Sequence, residues 1–161
     1  MNEVTIKTLN ALLKIEHTAA NLYATQSHCA AFAGYAKLAA KLAEEAEEER
    51  GHVAKLTERI LFLGGSPVIA VALSSATADV QEMLEQGVEL ETDAQRGYRE
   101  AITDFGSGSN SPGAPEGFED HGTRIIIEGI LKDTEDHLLW LQQQQDLIER
   151  LGLQNYLTTL V

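Results

Sequence analysis

The chain has 161 residues, with 12 Lys and Arg against 25 Asp and Glu, for a formal charge of −13. At 43% apolar and 23% charged it has the composition of a folded domain, not of a disordered or fibrous chain, and its length suits one domain with a proper core. The acidic balance argues against nucleic acid as the main partner, because phosphate binding needs clustered Lys and Arg. Cys29 is the sole cysteine, so no disulfide forms within the chain and a reducing cytoplasm fits. No apolar run reaches the ~18 residues that span a membrane. The opening MNEVTIKTLN lacks the basic-then-apolar pattern of a secretion signal, so the expected location is the cytoplasm.

In chain order, apolar residues at i, i+3, i+4 spacing predict helices over 4–33, 35–63, 77–105 and 120–151, followed by a short amphipathic segment at 153–160. The first stripe runs Leu9, Leu12, Glu16, Ala20, Tyr23, and the second Leu42, Glu45, Glu49, His52, Leu56, Ile60. The third runs Leu84, Val88, Glu91, Gln95, Tyr98, Ile102, and the fourth Ile126, Ile130, Thr134, His137, Leu141. Period-two clusters of β-branched residues are absent from the sequence, so the expected class is all-α. Helices of nearly thirty residues are about 40 Å long, and four of them, each apolar on one side, make a single-domain four-helix bundle.

Breaks between the helices set the order of packing. The first pair is joined tightly around Gly34. GGSPVIAVALSSA (64–76) is too long for a tight turn and apolar enough to lie along a helix, which predicts a crossover between the second and third helices. The Gly-rich loop at 106–122, containing GSGSNSPGAPEG, separates the third and fourth helices and reads as a tolerated surface insertion.

The two helix pairs look like copies. Glu16 precedes Tyr23 by seven residues and Glu91 precedes Tyr98 by the same seven, while HVAKL and HLLWL place His52 and His137 alike. Glu16 to His52 spans 36 residues and Glu91 to His137 spans 46, the Gly-rich loop accounting for the extra ten. This pseudo-repeat sets Glu16 opposite Glu91, and His52 opposite His137, near mid-bundle.

Carboxylates on an apolar stripe are costly unless paired or bound to metal. No Lys or Arg lies on the stripes at the matching depth. Glu49-Arg50-Gly51-His52 is a Glu-x-x-His, whose spacing projects both side chains from one face. Glu16, Glu49, Glu91, His52 and His137 therefore read as ligands for one or two divalent metals.

The chain resembles the bacterioferritins, within the ferritin-like carboxylate di-iron proteins. LNALLKIEHTAANLY, HVAKLTERILFLGGSP, YREAI, ILKDTEDHLLWL and DLIERLGLQNYL carry the resemblance. It implies a ferritin-like four-helix bundle with a short fifth helix and iron as the metal. Glu16 and Glu91 would be terminal carboxylates, Glu49 a bridge, His52 and His137 imidazole ligands, and Tyr23 a neighbour of the site. It also implies a homo-oligomeric shell of twenty-four chains that oxidises Fe(II) and stores the ferric mineral, with Glu44 and Glu48 facing the cavity.

This sequence departs from the family pattern at two site positions. Thr134 stands where the second bridging Glu is expected, with Asp133 beside it as a possible substitute. Arg50 stands at the place of the haem-binding methionine, so no haem is expected. Two further readings stay open: a non-catalytic shell subunit with a degenerate site, co-assembled with an active partner, and a small ferritin-like oxidase.

Overall fold

A computed structural model of the chain describes residues 2–72, 74–106 and 120–161. Among them are five helices and no strand: α1 (Asn2–Phe32), α2 (Ala36–Phe62), α3 (Val80–Gly106), α4 (His121–Leu151) and α5 (Leu153–Leu157). The four long helices form a bundle in which α1 lies along α2 and α3 along α4, with α1–α3 and α2–α4 contacts closing it. None of these helices is long and apolar enough to cross a membrane. Most of the Gly-rich stretch, 107–119, lies outside the described residues.

Each junction has a local cause. Gly34, at φ 90°, makes the tight turn between α1 and α2, a conformation that costs glycine no Cβ clash. Gly64, at φ 78°, ends the second turn after α2. The chain then runs back along α1, where Asn10 donates to Ser66 O (3.2 Å) and accepts from Val68 N (2.7 Å), and Thr18 Oγ1 accepts from Ala72 N (2.9 Å). These bonds hold the long crossover against the first helix. α3 begins at Val80 because Asp79 accepts from Glu82 N–H (2.9 Å), capping the first turn; residues 77 and 78, which the periodicity includes, precede that cap.

α4 begins at His121, where Asp120 caps it by accepting from Thr123 N–H (2.9 Å). Arg59 of α2 donates to Asp120 Oδ1 (2.6 Å) and to Thr123 Oγ1 (2.8 Å), tying the end of one helix to the start of another. The fifth helix is shorter than its periodicity suggests, ending at Leu157, with Thr158 in its C-cap. Leu160 O then accepts the Lys37 N–H (2.9 Å), satisfying one of the open donors of the first turn of α2.

The core has two halves. Towards the Gly34 end lie Ala19, Tyr23, Leu38, Leu42, Ala46, Met83, Leu84, Leu141 and Tyr156. Towards the other lie Leu9, Leu13, Leu56, Ile60, Tyr98, Ile127 and Ile130. On every long helix the polar stripe residues fall between these two groups, so apolar layers seal a polar belt from above and below.

Candidate metal centre

The belt is made of Glu16 from α1, Glu45, Glu49 and His52 from α2, Glu91 from α3, and Thr134 and His137 from α4, all buried. Helical spacing puts them there: each sits at a stripe position whose neighbours a turn away are core residues. Six ionisable groups in a dry layer would be strongly unfavourable without partners.

They are arranged around two imidazole nitrogens. His52 Nδ1 lies 3.1 Å from Glu16 Oε2 and 2.9 Å from Glu49 Oε2. His137 Nδ1 lies 3.1 Å from Glu91 Oε1, 3.2 Å from Glu45 Oε2 and 3.9 Å from Glu49 Oε1. The two oxygens of Glu49 thus face different imidazoles. Glu16–Glu49–His52 and Glu49–Glu91–His137 are two buried triads whose donor atoms lie close enough to share a cation.

Tyrosines brace the outer carboxylates crosswise. Tyr23 of α1 donates to Glu91 Oε1 (2.5 Å), and Tyr98 of α3 donates to Glu16 Oε1 (2.6 Å). On the far side of the first imidazole, His52 Nε2 lies 3.2 Å from Asp133 Oδ2, the outer contact that commonly orients a ligating histidine. Glu48, His52 and Asp133 form a third triad at the exposed edge.

Burial raises Glu16 to about 8, with the nearby Glu49 adding to the shift and the His52 contact opposing it. Burial and the neighbouring Glu49 raise Glu91 too, against the pull of His137 and Tyr23. Glu49 is held well below the usual carboxylate range, because hydrogen bonds and charge from the imidazoles outweigh its own desolvation. Desolvation disfavours charge on both imidazoles, but the carboxylates win: His52 rises to about 10 through Glu16 and Glu49, and His137 to about 9 through Glu49 and Glu91. Burial and the facing carboxylates push both tyrosines well above 10, keeping them as donors. The raised imidazoles thus supply positive charge that balances the carboxylates of the belt.

Sequence-derived positions meet different fates. Glu16, Glu49, His52, Glu91 and His137 converge in the belt. Thr134 is buried one turn before His137, but its hydroxyl donates to Ile130 O (3.0 Å) in its own helix. Asp133 faces His52 Nε2, with Lys55 Nζ at 3.8 Å, so in this arrangement it stands behind the first imidazole and does not fill the place beside Thr134. Arg50 is exposed and paired with Glu47. His121 opens α4.

One expectation is corrected. A cation does reach the stripes: Lys41, one turn before Glu45 and two-thirds buried, pairs with Glu45 while its ammonium lies 5.4 Å from the centre of the Trp140 ring. Its long stem carries the charge inward from a flanking position, which stripe counting does not register. Glu45 itself is visible on the stripe, and its burial is the sign that distinguishes it from the solvated acidic residues around it.

The donor set fits a hard or borderline divalent ion, since carboxylate and imidazole suit iron, manganese and zinc alike. The clearest sign of fit is His137. Although its side chain is only 4% exposed, neither ring nitrogen makes a hydrogen bond of acceptable geometry among the described residues. Buried polar atoms are rarely left this way without a ligand or a role.

The family model for the ferritin-like domain matches residues 6–112. A bacterial ferritin of Neisseria meningitidis serogroup B is 34% identical over 96% of this chain and 95% of its own length. A bacterial ferritin of Pseudomonas aeruginosa is 36% identical over 92% of this chain and 91% of its own, and a bacterioferritin of Brucella melitensis is 31% identical over 94% and 88%. The four-helix architecture, the mid-bundle carboxylate–histidine belt and similarity running almost end to end place the chain in the ferritin-like family.

Proposed function

We propose that this protein stores and detoxifies iron, taking Fe(II) as substrate and keeping the ferric product as cargo inside a shell of twenty-four chains in the cytoplasm. The observation that carries this reading is Glu49, whose oxygens face His52 Nδ1 (2.9 Å) and His137 Nδ1 (3.9 Å), one imidazole on each side of a single carboxylate. That is the layout of two neighbouring cation positions sharing one bridge. Glu16 and His52 complete the first position, and Glu91 and His137 the second.

Two Fe(II) ions surrender one electron each, so a paired site delivers the two electrons that convert O₂ and two protons to hydrogen peroxide. Around that chemistry the chain's own groups do the holding. Glu49, held below the usual carboxylate range, is ionised at neutral pH. Tyr23 and Tyr98 fix the outer carboxylates, and the apolar layers on either side keep bulk water away. Glu44 and Glu48 are exposed beside the belt and in the assembled shell would attract Fe(II) on the cavity side. Arg50 at the place of the haem-binding methionine is the basis for proposing no haem.

Anaerobic Fe(II) titration of the assembled, metal-free protein tests the reading. Two Fe(II) per chain, followed by ferric absorbance on adding O₂ and elution as a particle of twenty-four chains, is the expected result. Failure to bind Fe(II) at all would overturn it.

One observation favours a second reading. Thr134 turns its hydroxyl to Ile130 O and brings no carboxylate, as in a shell subunit with a damaged centre that relies on an active partner chain. Under that reading the protein binds at most one Fe(II), and Thr134→Glu converts it to a fast ferroxidase.

A further inference from the structure

His137 Nδ1 has a surround that the sequence pattern does not anticipate. Beside the expected Glu91 and Glu49, a third carboxylate, Glu45, approaches to 3.2 Å. This matches the distances of 2.9 Å and 3.1 Å at which Glu49 and Glu16 stand around His52 Nδ1. Donor atoms that share a metal at about 2.1 Å stand roughly 3 Å apart when they occupy adjacent coordination positions. Glu45 is 3% exposed, as deeply buried as Glu16 at 2% and Glu49 at 4%. It lies one turn before Glu49 on the same face of α2, and Thr134 brings no carboxylate from α4.

The charges point the same way. Two divalent ions bring four positive charges, and Glu16, Glu49 and Glu91 cancel three. Glu45 is the remaining buried carboxylate of the belt. In this structure Lys41 holds one of its oxygens, and Lys41 has a second acceptor within reach, Glu44 Oε2 at 3.7 Å. Trp140 steadies the ammonium from α4. A small swing of Lys41 towards solvent-facing Glu44 frees Glu45 to turn onto a cation at His137.

Resting on the iron reading above, we propose that Glu45 is the fourth carboxylate of the centre, supplied by α2 in place of the one that Thr134 leaves out of α4. Lys41 holds it until the second cation arrives. The second position is then complete by a different route, with three protein carboxylates available to His137's cation.

The test uses anaerobic Co(II) titration of the intact, metal-free assembly, read by visible absorbance and by the number of ions bound per chain. Wild type is expected to take up two Co(II). Glu45→Gln should keep the first at unchanged affinity and weaken the second by about 100-fold or more, beyond what loss of an outer partner causes. Thr134→Glu added to Glu45→Gln should restore the second. Lys41→Met separates ligation from a merely structural ion pair: it should leave the second position as tight as in wild type or tighter, whereas a structural pair predicts that Lys41→Met and Glu45→Gln weaken it alike. Elution and circular dichroism check that each variant stays assembled. Two Co(II) bound with equal affinity in wild type and Glu45→Gln would overturn the proposal and leave the iron reading intact. One Co(II) in wild type would also overturn it. No binding by wild type would sink both.

Discussion

Tyr98 on α3 donates a 2.6 Å hydrogen bond to Glu16 on α1, although Glu91, not Glu16, is the carboxylate of its own helix. The reciprocal bond from Tyr23 to Glu91 makes the bracing crosswise, so each outer carboxylate is held by the opposite half of the pseudo-repeat. Both rings are fully buried. Tyr98→Phe removes a donor and leaves a buried carboxylate oxygen open, at a cost of about 1–3 kcal/mol to the metal-free protein. Loosening Glu16 should also weaken the first cation position by about 10–100-fold. Urea unfolding and metal titration measure the two effects, and a Tyr98→Phe protein with wild-type metal affinity would show that the brace serves stability alone.

Removing the metal should make stability depend steeply on alkaline pH. His52 and His137 rise from an ordinary 6.5 to about 10 and about 9 in the folded protein, so their contribution is full below pH 6.5 and is lost as pH climbs through those values. Glu16, raised from 4.5 to about 8, acts in the same sense: between those limits the folded state keeps a proton that the unfolded state has released. The Tm of the metal-free protein should therefore fall continuously from pH 6.5 to 10. Metal binding at neutral pH should release about three protons per chain, seen by calorimetry in buffers of different ionisation enthalpy. A flat Tm across that range would contradict the protonated-belt account.

The belt was legible from the sequence because charge on an apolar stripe is conspicuous. Glu16, Glu91, His52 and His137 sit where helical spacing demands core residues, and the equal intervals from Glu16 to Tyr23 and from Glu91 to Tyr98 mark the repeat. The crossed pairing was not legible. Spacing assigns a residue to a face but does not say which neighbouring helix that face meets, so the pattern pairs Tyr98 with Glu91 of its own helix when its hydroxyl partner is Glu16. Lys41 escaped for a related reason: its long side chain reaches from a flanking position to Glu45, which the stripe itself displays. Asp133 lies beside Thr134 in sequence, yet the turn of the helix and the choice of rotamer deliver it to His52 Nε2.

At the junction of α2 and α4, Asp120 serves both as helix cap and as ion-pair partner of Arg59. Its carboxyl is lowered because two hydrogen bonds from Thr123, together with Arg59, outweigh the penalty of burial. Asp120→Ala should cost about 1–3 kcal/mol at neutral pH through the lost cap and the unpaired Arg59. The contribution is present above the ordinary value of 3.8 and disappears as pH falls through the lower folded value. Wild type and variant should therefore converge in stability once the pH has fallen through that lowered value, whereas a difference that persists undiminished in acid would assign the effect to packing.

Glu49 offers the sharpest separation between a shared bridge and two independent sites. Its oxygens face both imidazoles, whereas Glu16 touches only His52 and Glu91 only His137. Glu16→Gln should weaken one cation position and spare the other. Glu49→Gln should weaken both together by about 10-fold or more each, since an amide cannot supply a carboxylate's charge to either. The metal-free Glu49→Gln protein should also lose the pull that keeps the imidazoles protonated, so its Tm should fall less steeply above pH 6.5 than that of wild type. Loss of only one Co(II) from Glu49→Gln would mean that the second imidazole is served by Glu91 and Glu45 without the bridge.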